Sequence, residues 1–241
     1  MHDAAGLSVS SQPWPPLPSS DILLRHLDFP AMTGLSCMPL SVLDQDHQTH
    51  PALPAALNKA VRKRQREYLT GRLCACAALR NAGYPRDIYP DMGEDRLPVW
   101  PSDWLGSISH SGDYAIAAVA PKANCVALGI DLQQRVALKT MMEIQSLIAQ
   151  PDELAQFSNV DAITRLLLIF SGKEALYKAL YPQVRNIQNF DAAKLIDVDA
   201  KALTFRLTRH WSPFWHADKC ISVHYAVFDE YVITASYHGM L

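Results

Sequence analysis

The chain has 241 residues, of which 49% are hydrophobic and 19% charged, and a formal net charge of −2. That length can bury a full core without disulfides or a structural metal, as one large domain or two fused halves. The near balance of charge excludes a whole-molecule field for nucleic acid or membrane, so any anion site must be a local patch.

Cys37, Cys74, Cys76, Cys125 and Cys220 are odd in number, mostly within apolar segments, and lack zinc-knuckle or thioredoxin spacing. Reduced, buried thiols and a cytoplasmic protein are the expectation. There is no apolar run of about 18 residues to suit a membrane span, and the start lacks the charged-then-apolar order of a signal peptide.

Residues 1–20 hold Pro13, Pro15, Pro16 and Pro18 among serines, with little periodicity, and read as an extended lead-in. Residues 22–42 mix short apolar runs with Pro30, Gly34 and Pro39, which predicts one or two strands at a sheet edge. Residues 55–80 are helix formers throughout and stop at Asn81-Ala82-Gly83-Tyr84-Pro85, a glycine cap followed by proline. Lys59, Arg62, Lys63, Arg64, Arg66 and Arg72 oppose only Glu67 there. Such a run is either a solvated face or an anion site. No aromatic stacking platform or recognition motif accompanies it, which argues against a nucleic-acid binder.

Residues 91–101 form a turn-rich loop. After it, residues 106–111 and 114–119 flank Gly112-Asp113, the signature of a tight hairpin, and place Ser109 and His110 near a strand end. No acid stands at a spacing that would make a hydrolase triad of them. Residues 126–133 alternate, with Val126, Leu128, Ile130 and Leu132 on one face and Gly129, Asp131 and Gln133 on the other. Asp131 and Gln133 are then roughly 7 Å apart by strand rise, two oxygen donors that suit Mg²⁺. The plainer alternative is a strand-end Asp bonded to backbone.

Residues 137–150 and 161–180 predict helices. In the second, Ile163, Leu166, Leu167, Phe170 and Tyr177 share a stripe at about 100° per residue, and Glu174 falls inside it. Lys178 follows one turn on, and Lys173 lies at the opposite margin. An inward carboxylate needs a partner or a metal, whereas an outward one would be an ordinary i,i+4 pair. Residues 195–198, 203–207, 221–228 and 231–237 predict strands, the last two joined by Asp229-Glu230. The aromatic loop of residues 210–216 is a partner surface or packing. His210, His216, His224 and His238 show no paired metal spacing. The order helix then strands occurs twice, with a break at residues 121–125 and no residue-level repeat.

Gly129-Ile130-Asp131 and, further on, Lys173-Glu174-Ala175-Leu176-Tyr177-Lys178 resemble the paired signatures of the 4′-phosphopantetheinyl transferase superfamily. The likeness is greatest to its single-chain, enterobactin-synthetase-associated group. Residues 64–72 resemble that group's basic helix, Arg96-Leu97-Pro98-Val99-Trp100-Pro101 its loop before the strand, and Ser109-His110 its Ser/Thr-His element. The resemblance covers roughly residues 55–190. The family usually has a second acid two positions after the Asp, where this chain has Gln133.

The resemblance implies an α/β (α+β) fold of two similar halves, each a helix packed on a mostly antiparallel sheet. They would be related by a pseudo-twofold, with the active site in the cleft. Residues 21–122 would hold the basic coenzyme A-binding helix, and residues 123–241 the metal site and helix 161–180, in a monomer. The implied activity moves 4′-phosphopantetheine from coenzyme A to a serine of an apo acyl or peptidyl carrier protein, releasing 3′,5′-ADP. Siderophore, polyketide or nonribosomal peptide synthesis is the implied setting, with neither nucleic acid nor membrane as partner.

Residue by residue, Asp131 and Glu174, with Gln133 or a water, would hold Mg²⁺. Arg64, Arg72 and His110 would grip the 3′-phosphate and its neighbours, with Arg96 and Ser109 in the same coenzyme site. Lys173 and Lys178 would pair with the diphosphate, Glu174 would be the base, and Asp131, Glu174 and Lys178 the catalytic set. The same residues admit a Mg²⁺-dependent phosphodiesterase or nuclease, and a non-catalytic module binding coenzyme A or nucleic acid.

Overall fold

The computed structural model describes residues 17–44, 51–135 and 138–239, so most of the expected lead-in over residues 1–20 lies outside the described residues. Helix α1 (Ser20–His26) forms where a strand was expected, and a single strand, β1 (Gly34–Pro39), follows it at a sheet edge. The leucines decide this: Leu23 and Leu27, one turn apart, are both buried in a cluster shared with Leu35.

Helix α2 (Arg62–Asn81) begins later than the sequence predicts. Residues 55–57 close a separate 3-10 turn behind Pro54, and Val61 takes extended backbone (φ −59°, ψ 148°) before the helix starts. It ends as expected at Ala82 and Gly83, the latter at φ 91°. A short ribbon, β2 (Asp91–Met92) with β3 (Pro98–Val99), leads to the hairpin of β4 (Trp104–Ser111) and β5 (Tyr114–Pro121), turned at Gly112. Then come β6 (Ala127–Gln134), α3 (Leu138–Ile148), α4 (Pro151–Leu154) and α5 (Ala162–Val184). Strands β7 (Ala193–Val198), β8 (Ala202–Leu207), β9 (Cys220–Phe228) and β10 (Tyr231–His238) complete the chain.

These strands make two larger antiparallel sheets, β1-β5-β4 and β6-β10-β9-β8-β7. In each the first strand leads into a helix and the last strand lies beside the first, but the first sheet closes with one hairpin and the second with the four strands β7 to β10. The close approach of helix to first strand also recurs. A Cβ at Gly34 would stand 1.9 Å from the Ala78 carbonyl oxygen, and one at Gly129 would stand 2.0 Å from that of Ala175. Only glycine lets the helix backbone lie so near the strand.

The facing edges β4 and β6 are joined by side chains. Ser107, Ser109 and Ser111 accept the backbone N–H of Ile130, Leu132 and Gln134 at 3.0, 3.2 and 2.9 Å. A shared apolar layer lies between the sheets, with Leu35, Ile116 and Ala118 from one and Leu128, Ile130, Leu132 and Ile233 from the other.

One further expectation is corrected, and one left open is decided. Helix α5 has no simple stripe: Thr164, Leu166, Leu168, Ser171, Leu176 and Leu180 are buried all round it, because it packs on its sheet and against α3. Ile163, Phe170, Glu174 and Tyr177 mark its half-buried side, so Glu174 does not lie on the core face. The aromatic loop is mainly packing, with Trp211 and Trp215 buried and the Trp215 indole donating to Gln183 at 2.9 Å. Among the described residues the cysteines are free thiols, buried as expected at Cys74, Cys76 and Cys125 but half-buried at Cys37 and exposed at Cys220, which opens β9, and no helix is long and apolar enough to cross a membrane.

Candidate active site

The alternation of β6 puts Gly129 and Asp131 on the face toward α5, and the contact at Gly129 draws the helix over Asp131. The carboxylate is 1% exposed and fully bonded. Its Oδ1 accepts from Ser109 Oγ at 2.9 Å and Lys178 Nζ at 2.5 Å, and its Oδ2 from Ser171 Oγ at 2.9 Å and Gln133 Nε2 at 2.8 Å. A buried carboxylate is tolerated on these terms, with a cation and neutral donors on its lone pairs. Ser171 and Lys178 lie on the α5 turns on either side of Ala175, which explains how one helix supplies both. Thr234 of β10 braces Ser171, its hydroxyl donating to the Ser171 carbonyl at 2.7 Å.

Glu174 lies beside this centre on the half-buried side of α5. Burial pushes its carboxyl above the ordinary range, the Asp131 charge adds to that, and Lys178 opposes it. Gln133 shares Asp131's face as the alternation predicts, and its amide donates to the carboxylate.

Two expected coenzyme contacts face elsewhere. Lys173 is 4% exposed and pairs at 2.8 Å with Glu153 of α4, itself 2% exposed, while donating to the Ile148 carbonyl at 2.8 Å. Five residues separate Lys173 from Lys178, which sets them on opposite sides of the helix. Ser109 is 4% exposed and turned into the β4–β6 joint, its hydroxyl spent on Asp131, Lys178 and Leu132.

Lys178 opens instead onto a cleft of about 970 Å³ between α2, the residue 95–100 loop, β4 and the second half of α5. Its wall carries Arg64, Arg72, Arg96 and His110, which the structure therefore brings together with Lys178. Arg72 is 6% exposed, its guanidinium 4.4 Å above the Tyr68 ring, and its buried Nε has no hydrogen-bond partner. Burial depresses its pKa. Asp91 and the Tyr68 hydroxyl oppose that effect, yet among the described residues no acid makes a salt bridge to Arg72, and an anionic ligand would supply one. Arg96 (φ 65°) stands at the tip of the β2–β3 loop, beside Asp95, which pairs with Arg185 across the cleft mouth.

Arg64 Nη1 lies 2.6 Å from His110 Nε2. An arginine only donates, so the imidazole accepts at Nε2 and carries its proton on Nδ1, 3.5 Å from the Glu67 carboxylate. Burial lowers the His110 pKa, Arg64 and Lys178 adding to the effect while Glu67 and Asp131 oppose it. The ring is thus neutral and helps to aim Arg64. Glu67, Tyr68, Ser171 and Thr234 were missed in the sequence as site residues. Ser171 had a signal, since it shares the helical spacing of Glu174 and Lys178.

The donor set near Asp131 is two carboxylates and one amide, and no three His, Cys, Asp or Glu side chains converge among the described residues. Hard oxygen donors of this kind fit Mg²⁺, which completes its shell with water and phosphate, once the cation takes the place of one of the hydrogen-bond donors now on Asp131, such as the Gln133 amide. They do not suit zinc, whose sites are built mainly on Cys and His with a carboxylate as a minority ligand. Glu174's elevated carboxyl fits such a cation too, because a nearby positive charge would restore its ionised form.

Residues 52–120 match the family model of a 4′-phosphopantetheinyl transferase N-terminal domain, and residues 127–236 that of the 4′-phosphopantetheinyl transferase superfamily. Enterobactin synthase component D of Escherichia coli (strain K12) is 32% identical over 190 residues, 76% of this chain and 82% of that protein. The 4′-phosphopantetheinyl transferase Npt of Nocardia iowensis is 31% identical over 163 residues, 67% of this chain and 72% of that protein. Enterobactin synthase component D of Salmonella typhi is 34% identical over 153 residues, and the chain spans 62% of that relative's length.

Proposed function

Because this chain belongs to the 4′-phosphopantetheinyl transferase superfamily, we propose that it transfers the 4′-phosphopantetheine of coenzyme A to a serine of an apo carrier protein. The observation that carries this reading is the buried Asp131–Lys178 pair opening onto a cleft that also holds Arg72 with its unpartnered Nε.

In this reading Arg72 and Arg64 bind phosphate oxygens of coenzyme A, Arg64 being aimed by His110 and Glu67. Lys178 directs its ammonium at the diphosphate while Asp131 holds the side chain in place. The carrier serine oxygen attacks the phosphorus that bears the pantetheine, and its proton passes to Glu174, whose raised pKa suits a base. The bond to the other phosphate breaks, and the electron pair leaves on 3′,5′-ADP. Mg²⁺, held by Asp131 and Glu174 with Gln133 or a water, would supply counter-charge to the diphosphate. Most of the rate enhancement is then positioning and electrostatics.

Residues 21–122 and 123–241 work as the two pseudo-twofold halves of one monomer, without nucleic acid or membrane as partner. Relatives named for enterobactin synthase make a carrier of siderophore-type synthesis the first acceptor to try. The test is incubation with coenzyme A, millimolar Mg²⁺ and a panel of apo carrier proteins, read by intact mass. A phosphopantetheine gain on one carrier with equimolar 3′,5′-ADP is expected. No gain on any carrier overturns the reading, and nucleotide release without an acceptor would point to hydrolysis instead.

A further inference from the structure

Ser109 sits on β4, in the three-stranded sheet, and both charged groups that it touches belong to the other sheet and its helix. A hydroxyl has one proton and two lone pairs, and this one uses all three. It donates to Asp131 Oδ1 at 2.9 Å and accepts from Lys178 Nζ at 2.9 Å and from the Leu132 backbone N–H at 3.2 Å. Nothing is left for a ligand, and the residue is buried away from the cleft wall. The Lys178 ammonium has three protons, of which Asp131 and Ser109 take two. The third is thereby directed, because two fixed bonds remove the rotation of the ammonium group. Ser111, two residues along, makes the same kind of bond to β6, at 2.9 Å to the Gln134 N–H, and touches neither Asp131 nor Lys178.

We propose that Ser109 is a positioning residue, which aims Lys178 and Asp131 across the joint between the two sheets and does not contact the coenzyme. The proposal rests on the transferase reading above. It makes one hydroxyl the link between the placement of the two halves and the direction of the catalytic ammonium.

The test compares Ser109→Ala, Ser109→Cys and Ser109→Thr with Ser111→Ala. Transfer kinetics are measured on a carrier protein, and coenzyme A binding is measured by calorimetry without acceptor. Ser109→Ala should lower kcat roughly 10- to 100-fold, the scale of a misaimed catalytic group. Its Kd for coenzyme A, and its preference over dephospho-coenzyme A, should stay within about twofold of wild type, since no ligand contact is lost. Ser109→Thr should recover most of kcat. Ser109→Cys, which keeps the size but donates weakly, should fall between and remains readable if the alanine variant does not fold. Ser111→Ala should keep kcat.

A weakened Kd with lost discrimination against dephospho-coenzyme A would show Ser109 to be a ligand contact and overturn the proposal. So would a kcat loss in Ser109→Ala no larger than in Ser111→Ala. A wild-type protein that binds coenzyme A but modifies no carrier would instead overturn the transferase reading, and the proposal with it.

Discussion

In β1 and α2, Ser36 lies two residues beyond Gly34 and faces Cys74; in β6 and α5, Asp131 lies two residues beyond Gly129 and faces Ser171. Counting from the alanines that touch the two glycines, Asn81 occupies the place of Lys178, and Ala77 that of Glu174. Asn81 donates to the Leu35 carbonyl at 2.9 Å, an ordinary structural bond, while Lys178 pairs with Asp131 and faces the cleft. The Cys74 thiol is buried, its pKa driven up by burial, and it donates to the Ala115 carbonyl at 3.3 Å. One helix-on-strand frame therefore serves as plain scaffold in one half and as a charged centre in the other. A few side chains make the difference.

The comparison is broken most directly by making the second unit like the first. Asp131→Ser should reduce transfer to background, because Lys178 loses its anchor and the candidate metal site its buried acid. Glu174→Gln should do nearly the same. In wild type the rate should rise with pH as Glu174 ionises, and that rise should move to lower pH as Mg²⁺ is added, because burial raises the carboxyl pKa and the cation would oppose this. Glu174→Gln should also unfold at a higher temperature at neutral pH, because a carboxyl whose folded pKa is raised loses stability as pH climbs past its unfolded value. A pH profile with a stability scan checks both.

The converse change, Ser36→Asp, would bury an acid beside Cys74 with no cation at hand. A loss of about 3–5 kcal/mol is expected in denaturant titration, the scale of an uncompensated buried charge. If the variant unfolds like wild type, the frame of the first half holds charge as well as the second does.

Gly34→Ala and Gly129→Ala sharpen the comparison, since each forces a helix backbone away from its strand. Each should lose about 1–3 kcal/mol of stability, the usual cost of overpacking. In Gly129→Ala kcat should fall as well, because Asp131 and Lys178 move apart, whereas Gly34→Ala should spare kcat. Equal kcat losses would count against a division of labour between the units.

Arg72→Ala should weaken coenzyme A binding by about 1.5–3 kcal/mol, a lost charge-assisted contact. Dephospho-coenzyme A should lose much less if Arg72 reads the 3′-phosphate, and calorimetry with both ligands decides it. The smallest effect is expected at Gln133. Gln133→Glu puts a carboxylate where an amide now donates to Asp131, so it should lower the Mg²⁺ concentration for half-maximal rate. Gln133→Ala should leave measurable activity.

Much of the frame was legible along the chain because it is written in local periods. The alternation of β6 placed Asp131 and Gln133 on one face, the Gly112-Asp113 pair marked the hairpin, and Gly83 marked the end of α2. Helix α1 was not, because a short helix bearing two leucines reads the same as a strand until Leu35 and the layer between the sheets are known to cover it.

What the sequence by itself determined was the inventory of the candidate site: an acid after glycine in a strand, an acid and two lysines in a helix, and a helix whose first half is basic as far as Arg72. Which lysine serves the cleft was decided only by tertiary structure. Helix α5 is buried nearly all round, so its apolar pattern has no phase to distinguish Lys173 from Lys178. Glu153 on α4 claims the first, and Asp131 on β6 the second. The same holds for Ser109 and His110, adjacent in sequence, whose side chains leave β4 on opposite faces toward Asp131 and Arg64. Partners for buried polar groups come from strands and helices distant in the chain, and no local period records them.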